Sequence, residues 1–341
     1  MSHKVRIVQA DRTIDVPMGS TILAAALDAG ISYPFGCQSG NCGACKSTLV
    51  RGEVAMEGYS EFALSDDEKA RGLILACRAV PHDDSEVAWV EEDDLVVHPR
   101  RTLGCRVQSL DDLTHDIKRL RLEIVTGGPF VFSAGQFAAL TFAGCPPRDY
   151  SMANLPGEPT LEFHVRRTAG GIASAHVFEA LKAGDAVRVE GPAGTACLRE
   201  AHRGPIIAVA GGSGMAPIRA IVERALQQKM PQHIYFYFGV RSERDLYLHD
   251  HFARLAERHP TLHFTPVLSE SDNAAFRLGL VHEAVAADFD EFDGCKAYLA
   301  GPPAMVEAAT ALFERRGMRR EDIHADAFYT AAEMAEAASR K

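Results

Sequence analysis

The sequence PFGCQSGNCGACKSTLV, residues 34–50, decides the fold of the first part of this chain. It places Cys37, Cys42 and Cys45 among three glycines, and a fourth cysteine, Cys77, follows in LILACRAV. Clustered thiolates are ligands for soft metal ions, whereas isolated buried thiols behave as small apolar side chains. We therefore expect a metal centre in this region. The scattered cysteines, expected to be ordinary buried thiols, are Cys105, Cys145, Cys197 and Cys295.

The spacing of the four clustered cysteines distinguishes between kinds of metal centre. A C-x4-C-x2-C run followed by a distant fourth cysteine is the ligand pattern of a plant-type [2Fe–2S] cluster. A zinc site would instead combine two short Cys-x-x-Cys or Cys/His units. The spacing favours the iron–sulfur cluster over zinc and over inert thiols. Its predicted ligands are Cys37, Cys42, Cys45 and Cys77.

The residues around the cysteine loop predict a small sheet with one helix laid across it. Residues 4–16 alternate apolar and polar side chains on both sides of a short turn, which is typical of a hairpin. An apolar stripe with helical spacing runs between Ser20, a candidate N-cap, and Gly30. Together with the cysteine motif, these features make residues 1–97 similar to plant-type ferredoxins. The resemblance implies a β-grasp [2Fe–2S] domain, which we assign to residues 1–98.

Two further patterns follow a boundary near residue 100. Residues 103–200 contain many short strand-like segments separated by turn signals, which predict a β-barrel. From about residue 204, strands alternate with helices, as in a parallel α/β sheet. The sequence thus predicts a multidomain α+β and α/β protein, with an antiparallel barrel domain over residues 102–201 and a parallel-sheet domain over residues 204–341.

The barrel region contains PRDYSMAN, which resembles the flavin-binding strand of the ferredoxin-reductase superfamily. Tyr150 offers an aromatic face to a flavin ring, and Arg148 offers a positive fork for phosphate. Ser151 offers a hydroxyl that can reach the reactive flavin nitrogen. The resemblance makes Tyr150 and Ser151 the candidate catalytic residues. Upstream, FSAGQF departs from the PGQ strand of the superfamily because Ala134 stands where proline is usual.

A second segment, HVRRTAGGIASAHVFEAL, resembles the other flavin-contacting segment of that superfamily. It ends a strand and then passes through a glycine-rich turn into a helix, and such a helix N-terminus binds phosphate readily. Each feature alone would also fit an ordinary barrel strand or turn, but their order and spacing favour a flavin site. The candidate flavin-binding residues in this segment are His164, Val165, Arg166, Gly170, Gly171 and Ser174.

The parallel-sheet region begins with IIAVAGGSGMAPIRAIV, a glycine-rich turn between a strand and a helix. This turn departs from the G-x-G-x-x-G dinucleotide pattern, but it resembles the GG-(T/S)-G-x-AP turn of the same superfamily. The pyrophosphate of a nicotinamide nucleotide would lie at the N-terminus of the helix. The candidate nucleotide-binding residues of the turn are Gly211, Gly212, Ser213 and Gly214.

Two later segments complete the predicted nucleotide site. FYFGVRSERDLYL resembles the second nucleotide strand of the superfamily and places Arg241 and Asp245 near the adenosine end. YLAGPPAM resembles the CGP turn beside the nicotinamide and supplies Gly301 and Pro302. In that turn Ala300 replaces the usual cysteine, so any help that a thiol gives to nicotinamide positioning is absent.

Two questions stay open at this point. Phe328, the final aromatic residue of HADAF, fits either a ring that covers the flavin until the nicotinamide displaces it, or an ordinary core residue. An arginine near the second nucleotide strand, here Arg241, can take the 2′-phosphate of NADPH. Glu243 follows closely and would repel that phosphate. The sequence therefore favours NADH.

Composition and charge disfavour several classes of function. Residues 1–98 hold 8 Lys and Arg against 16 Asp and Glu, and so carry most of the net charge of −10. This acidity disfavours binding to nucleic acid and suits docking to a basic protein surface. The sequence shows neither a secretory signal nor an apolar run of membrane-spanning length. We expect a cytoplasmic monomer that binds neither nucleic acid nor membranes.

The order of the three regions resembles the reductase components of multicomponent oxygenases that carry an N-terminal ferredoxin, including those of benzoate and naphthalene dioxygenases. The resemblance implies that NADH gives two electrons to FAD, and that the [2Fe–2S] cluster passes them singly to a terminal oxygenase or an intermediate ferredoxin. A Rieske-type aromatic-ring-hydroxylating oxygenase is the expected partner. The alternatives are a di-iron monooxygenase, a sugar-deoxygenating enzyme, or a redox sensor that holds the cofactors without turnover.

Overall fold

The computed structural model describes residues 2–90, 94–330 and 333. These residues form two compact units, which correspond to Met1–Pro99 with Ala193–Thr195 and Tyr329–Lys341, and to Arg100–Pro192 with Ala196–Phe328. The barrel and the parallel sheet therefore belong to the same unit. The domain limits at residues 98, 102, 201 and 204 stay predictions. Residues 1 and 91–93 of the first predicted domain, and residues 331, 332 and 334–341 of the third, lie outside the described residues.

The first unit is built on a mixed five-stranded sheet. Its strands are β1 (Ser2–Ile7), β2 (Arg12–Pro17), β3 (Lys46–Arg51), β4 (Val54–Met56), β5 (Leu73–Leu75), β6 (Ala79–Pro81) and β7 (Ser85–Trp89), and its helices are α1 (Ile22–Asp28) and α2 (Asp66–Ala70). The sheet order is β2-β1-β7-β3-β5, and β4 pairs with β6 in a separate ribbon. β1 pairs with β2 as the expected hairpin and runs parallel to β7.

The start of helix α1 differs from the sequence-based expectation. Thr21, not Ser20, is the N-cap, because its side-chain oxygen accepts a hydrogen bond from Ala24 N at 3.3 Å. The predicted cap at Ser20 was therefore wrong by one residue. Both residues are good N-cap types, so the sequence alone does not separate them. The buried side chains of α1 include Ile22 and Leu23, which anchor the helix at the core of the unit.

The barrel forms the first half of the second unit. Its strands are β8 (Arg101–Asp112), β9 (Ile117–Thr126), β10 (Phe137–Thr141), β11 (Arg148–Ser151), β12 (Thr160–Arg166) and β13 (Ala186–Ala193), and its helix is α3 (Ile172–Glu179). The strand order is β11-β10-β13-β8-β9-β12. A single bridge between Met152 and Phe163 brings the two edges together, so the barrel is nearly closed around an apolar core.

The parallel sheet forms the second half of this unit. Its strands are β14 (Ile206–Gly211), β15 (Ile234–Val240), β16 (Leu262–Leu268), β17 (Arg277–Leu278), β18 (Lys296–Gly301) and β19 (Ile323–Ala327), and its helices are α4 (Met215–Gln227), α5 (His249–Arg258), α6 (Val281–Asp288) and α7 (Pro303–Arg315). The strand order is β17-β16-β15-β14-β18-β19, and each pair is parallel.

The candidate nucleotide site lies at the carboxyl ends of the central strands of the parallel sheet. Every residue of β14 is buried, as expected for a strand with neighbours on both sides and helices on both faces. β14 and β18 lie side by side and point the same way, so the turns that follow them meet at one edge of the sheet. That edge is where open α/β sheets bind their ligands. Within the described residues, no helix combines the length and apolarity needed to cross a bilayer.

Candidate functional site

The cysteine loop brings the four candidate metal ligands together. Cys37 N lies 3.2 Å from Cys42 Sγ, and Cys77 N lies 3.5 Å from Cys45 Sγ. Cys45 and Cys77 are buried, and the other two are half-buried. The neighbouring Cys42 thiol lowers the pKa of Cys37 to about 5, while Cys37 and burial raise the pKa of Cys42. Four converging soft sulfur donors fit a [2Fe–2S] cluster.

The backbone of this loop is arranged around sulfur. Asn41 N and Ser39 N donate to Cys37 Sγ across 3.3 and 3.4 Å, and Cys37 N donates to Cys42 Sγ across 3.2 Å. A Cβ at Gly36 would lie 2.9 Å from Cys42 Sγ, so a side chain there would displace the thiol. Hydrogen bonds of this kind stabilise thiolates and tune the potential of a bound cluster. The backbone and side chains of the loop therefore fit the [2Fe–2S] cluster that the cysteine spacing predicts.

Strand β11 ends with the candidate catalytic pair. Tyr150 contacts the edge of Phe142, with ring centroids 6.5 Å apart, and burial raises the pKa of its hydroxyl to about 12. Tyr150 is thus a neutral aromatic surface at physiological pH. Ser151 is buried, and its Oγ donates to Asp326 Oδ2 across 3.1 Å. The side chain of Arg148 is exposed, which leaves it accessible to a phosphate group.

The end of strand β12 holds Val165 and Arg166 in different environments. The Val165 side chain is part of the barrel core, so only its main chain is available to a flavin. Arg166 Nε lies 3.0 Å from Asp116 Oδ2. A Cβ at Gly212 would lie 3.1 Å from Arg166 Nη1, which places the guanidinium against the first residue of the nucleotide turn. Arg166 therefore lies where the barrel meets the parallel sheet.

The His164 ring points toward the same meeting place. Its Nδ1 lies 3.1 Å from the Tyr247 hydroxyl, and its Nε2 lies 3.3 Å from Glu162 Oε1. Glu162 also accepts hydrogen bonds from Arg219 and Arg121. Both ring nitrogens of His164 are thus engaged by protein groups. A contact from His164 to FAD would have to come from its main chain or a ring face.

The turn before α3 is shaped by Ser174. Its Oγ accepts a hydrogen bond from Thr168 N and donates to Gly171 O, each across 3.1 Å. Gly170 has a φ of 69°, a conformation that glycine adopts without strain. No side chain caps the N-terminus of α3, so its first N–H groups are open to an anion. The arrangement suits a phosphate group. Ser174 contributes by holding the shape of the turn through its hydrogen bonds to the backbone.

The two nucleotide turns touch through their backbones. A Cβ at Gly214 would lie 2.0 Å from Ala300 O, and a Cβ at Gly301 would lie 2.8 Å from Gly211 O. Glycine is therefore required at positions 214 and 301. Helix α4 begins directly after the Gly212–Gly214 turn. The helical run that starts at this turn has no side-chain cap, and its N-terminus offers a site for a pyrophosphate.

The remaining predicted residues of the nucleotide site lie around these turns. Ser213 is the middle residue of the first turn, and Pro302 is the N-cap residue of α7. Phe328 N donates to Gly301 O across 2.9 Å, and the Phe328 side chain is half-buried against the core of the parallel sheet. The structure thus puts Phe328 beside the second turn. Both interpretations of its ring, a flavin cover and a core residue, remain predictions.

Arg241 and Asp245 form an ion pair at the end of β15. Arg241 Nη2 lies 3.3 Å from Asp245 Oδ1 and 4.0 Å from Asp116 Oδ2. Asp245 is buried, and its Oδ2 accepts hydrogen bonds from the amide and hydroxyl of Ser242 at 3.1 and 3.0 Å. The guanidinium of Arg241 is therefore already neutralised by carboxylates of the protein.

Sequence reasoning missed several residues of this region. Glu162 could have been found, since it precedes His164 by two positions on a strand and so shares its face. No sequence motif indicates a role in the site for Asp326, Tyr247 or Asp116. They reach the site because strands and turns distant in sequence come together.

Three family models together match most of the chain. The 2Fe-2S iron-sulfur cluster binding domain matches residues 5–82, the oxidoreductase FAD-binding domain residues 104–197, and the oxidoreductase NAD-binding domain residues 208–311. The expected cofactors, a [2Fe–2S] cluster, FAD and a nicotinamide nucleotide, are confirmed at the level of these domains.

The chain is also similar to whole proteins. A reductase component of the naphthalene 1,2-dioxygenase/salicylate 5-hydroxylase systems of Ralstonia sp. is 39% identical over 318 residues, 93% of this chain and 95% of the relative. The phenol 2-monooxygenase reductase component DmpP of Pseudomonas sp. strain CF600 is 37% identical over 349 residues, 100% and 98% of the two chains. The crystal structure of the Amycolatopsis cytochrome P450 reductase GcoB superposes with a TM-score of 0.81 at 38% identity, covering 96% of this chain and 99% of that one. The chain therefore belongs to the ferredoxin–NAD(P)⁺ reductase components of oxygenase systems, which are iron–sulfur flavoproteins with an N-terminal ferredoxin domain, an FAD-binding barrel and an NAD-binding sheet.

Proposed function

We propose that this chain takes electrons from NADH and passes them singly to a Rieske-type aromatic-ring-hydroxylating oxygenase, or to the intermediate ferredoxin that serves it. The observation that carries the reductase function is the backbone contact between Gly214 and Ala300, because it joins both nucleotide turns at one site. Arg166 of the flavin-binding strand lies against that site. The name of the Ralstonia relative supports a dioxygenase as partner.

The residues of the chain supply position and environment for this reaction. Bound FAD can accept an electron pair from a nicotinamide and release electrons singly, which suits the one-electron capacity of a [2Fe–2S] cluster. Tyr150 presents a neutral aromatic surface for the flavin ring. Because the Ser151 hydroxyl donates its one proton to Asp326, its oxygen is left to accept a hydrogen bond from the flavin ring. Arg148 and the open N-terminus of α3 bind phosphate groups.

The surroundings of Arg241 support NADH over NADPH. A 2′-phosphate would need a free cation, whereas Arg241 is paired with Asp245 and stands 4.0 Å from Asp116. Glu243 adds a further negative charge nearby, where its carboxylate accepts a hydrogen bond from Ser271. Binding NADPH would require breaking the existing pairs and overcoming repulsion from Glu243.

A di-iron monooxygenase is the second candidate partner. The phenol 2-monooxygenase reductase component aligns with the whole of this chain, at an identity similar to that of the dioxygenase relative. The same electron path would serve either partner. In both cases we propose that the acidic residues of the ferredoxin region favour a basic docking surface on the acceptor. We also propose a cytoplasmic location, where NADH is available.

The test of this function is reduction of purified acceptors by the protein loaded with FAD and iron–sulfur cluster. NADH and NADPH are compared as reductants, and cytochrome c is included as a general one-electron acceptor. We expect NADH to be preferred and a Rieske ferredoxin or oxygenase to be reduced with a higher kcat/KM than a di-iron hydroxylase. Faster reduction of the di-iron hydroxylase would favour the second candidate, and failure to reduce cytochrome c would contradict the reductase function itself.

A further inference from the structure

Two buried polar side chains of strand β12 point out of the barrel toward the parallel sheet of the same unit. Glu162 and His164 lie two residues apart on the strand and therefore share one face. Their side chains are 5% and 0% exposed. Buried polar groups of this kind need partners, and both find them on elements that carry the nucleotide site.

Glu162 is linked to helix α4, whose N-terminus follows the nucleotide turn. Arg219, in the second turn of α4, donates to Glu162 Oε1, and Arg121 Nε donates to Glu162 Oε2 across 2.9 Å. Burial alone would raise the pKa of Glu162, but the His164 hydrogen bond and the guanidinium of Arg219 outweigh it and hold this pKa well below its usual range. Glu162 is therefore ionised and can only accept hydrogen bonds.

The ionised carboxylate fixes the proton on His164. Because Glu162 can only accept, the proton of the neutral imidazole resides on Nε2, 3.3 Å from Glu162 Oε1. Burial lowers the pKa of His164, so the ring carries a single proton at neutral pH. Nδ1 is then an acceptor, and the Tyr247 hydroxyl, 3.1 Å away, is its donor.

The Tyr247 hydroxyl has a second acceptor in the nucleotide turn. It lies 3.2 Å from Gly212 O, a carbonyl that also accepts a hydrogen bond from Met215 N at the start of α4. The hydroxyl has one proton, so His164 Nδ1 and Gly212 O share it. Tyr247 is 4% exposed, so water does not compete freely for this proton.

We propose that Tyr247 is a positioning residue for reduction of the flavin by the nucleotide: its shared hydroxyl tethers the nucleotide turn at Gly212 to His164 of the flavin-binding strand and so sets how closely the nicotinamide nucleotide approaches the flavin. Tyr247 contacts neither reacting group in this role. The tether acts within the second compact unit and is independent of which acceptor protein the chain reduces.

The first test replaces Tyr247 with phenylalanine, which removes the hydroxyl and keeps the ring. The matched control is Tyr237→Phe, since the Tyr237 hydroxyl donates to Asp288 Oδ2 across 2.7 Å in the same sheet and touches neither nucleotide turn. Both variants are loaded with FAD and cluster. The dissociation constant for NAD⁺ is measured from the flavin difference spectrum, alongside KM for NADH, kcat and the melting temperature.

We expect Tyr247→Phe to raise the dissociation constant for NAD⁺ and the KM for NADH by about twofold to tenfold, the range for loss of one neutral hydrogen bond. FAD content should be unchanged. Tyr237→Phe should lower the melting temperature without changing the affinity for NAD⁺. An unchanged dissociation constant in Tyr247→Phe, or an equal rise in both variants, would overturn the proposal.

A second measurement uses only the wild-type protein. It tests the coupling between the nucleotide turn and the flavin-binding strand even if Tyr247→Phe does not retain FAD. Amide hydrogen exchange of the loaded wild-type protein is followed with and without NAD⁺. A tether predicts that residues 162–166, 212–216 and 245–248 gain protection together. Protection confined to residues 212–216, with the flavin-binding strand unchanged, would show that the turn and the strand are not coupled and would reject the role of Tyr247.

Discussion

Ser151 Oγ donates to Asp326 Oδ2 across 3.1 Å, although the two residues are 175 positions apart in the sequence. Ser151 ends the strand that carries the flavin motif, and Asp326 lies on β19, directly beside Ala300 in the sheet register. One hydrogen bond therefore joins the flavin motif to the edge strand next to the second nucleotide turn. A carboxylate acceptor also fixes the direction of the serine hydroxyl more firmly than a neutral acceptor would.

Replacing Asp326 with asparagine is expected to slow reduction of the flavin by NADH by about tenfold or more, since a hydrogen bond to a charged group is replaced by a weaker one. FAD content should stay unchanged. Stopped-flow absorbance of the flavin under anaerobic conditions measures the rate. Asp322→Asn is the control, because Asp322 pairs with Lys296 and Arg319 instead of Ser151. Equal slowing in the two variants would argue against a specific role for Asp326.

Replacing Cys77 with serine is expected to remove the cluster absorbance while FAD remains bound. Loss of one of four thiolate ligands leaves an incomplete site. Reduction of cytochrome c by NADH should then be lost, whereas reduction of ferricyanide, which can take electrons from the flavin, should persist. Cys105→Ser serves as the control, since Cys105 is a buried thiol of the barrel core. A Cys77→Ser protein with a full complement of iron and sulfide and the wild-type cluster spectrum would contradict Cys77 as a ligand, because an oxygen ligand in its place would change that spectrum.

Replacing Glu162 with glutamine should destabilise the second unit by about 2 kcal/mol, because Arg219 and Arg121 lose a charged acceptor, although Arg219 keeps its ion pair with Glu223. Denaturant unfolding followed by flavin fluorescence gives this value. Glu179→Gln is the matched control: its pair with Arg167 is exposed, so its removal should cost less than about 1 kcal/mol. Similar losses in both variants would mean that burial of Glu162 adds nothing to its interactions.

The Glu162 effect should also depend on pH in one direction. Folding lowers the pKa of Glu162 from its ordinary value of 4.5, so the folded state binds this proton less tightly than the unfolded state. The stabilisation is therefore complete above pH 4.5 and is lost as the pH falls through the lower folded-state value. We expect the stability difference between wild type and Glu162→Gln to be constant near neutral pH and to shrink below pH 4.5. A difference that grew on acidification would contradict this assignment.

Replacing Asp245 with asparagine is expected to weaken the preference for NADH. The substitution removes a carboxylate 3.3 Å from Arg241 and leaves the guanidinium freer to meet a 2′-phosphate. The ratio of kcat/KM for NADH to that for NADPH should fall by about tenfold, the effect of roughly one charge-assisted hydrogen bond. Asp250→Asn, an exposed substitution beside His249, is the control. An unchanged ratio would mean that Arg241 does not face the adenosine ribose.

Local sequence patterns were sufficient where one segment determines the structure. The cysteine spacing identified four thiols that the fold brings together, because three of them lie on one loop. The glycine-rich turns could also be recognised from the sequence. Gly214 and Gly301 are required there because backbone contacts leave no room for a side chain. Helix α6 and the short strand β17 were missed, as neither has a strong periodic pattern in the sequence.

Tertiary partners could not be predicted in the same way. Tyr247 is an unremarkable aromatic residue after a turn until the fold places its hydroxyl between His164 and Gly212. Arg219 looks like a solvent-facing residue of an amphipathic helix, yet it is the partner of a buried carboxylate. These roles depend on the packing of the barrel against the parallel sheet, and no single segment encodes that packing.

The division of the chain into two compact units has a consequence for how such proteins diversify. All four candidate ligand thiols and the strands that hold them lie within Met1–Pro99, the first stretch of the first unit, so a gene segment encoding that stretch would carry the complete ligand set into a new fusion. The barrel and the parallel sheet lack that freedom. Arg219 donates to the buried carboxylate of Glu162, and the Tyr247 hydroxyl donates to His164. Exchanging either half alone would remove these partners of buried polar groups, so we expect the two halves to be inherited together.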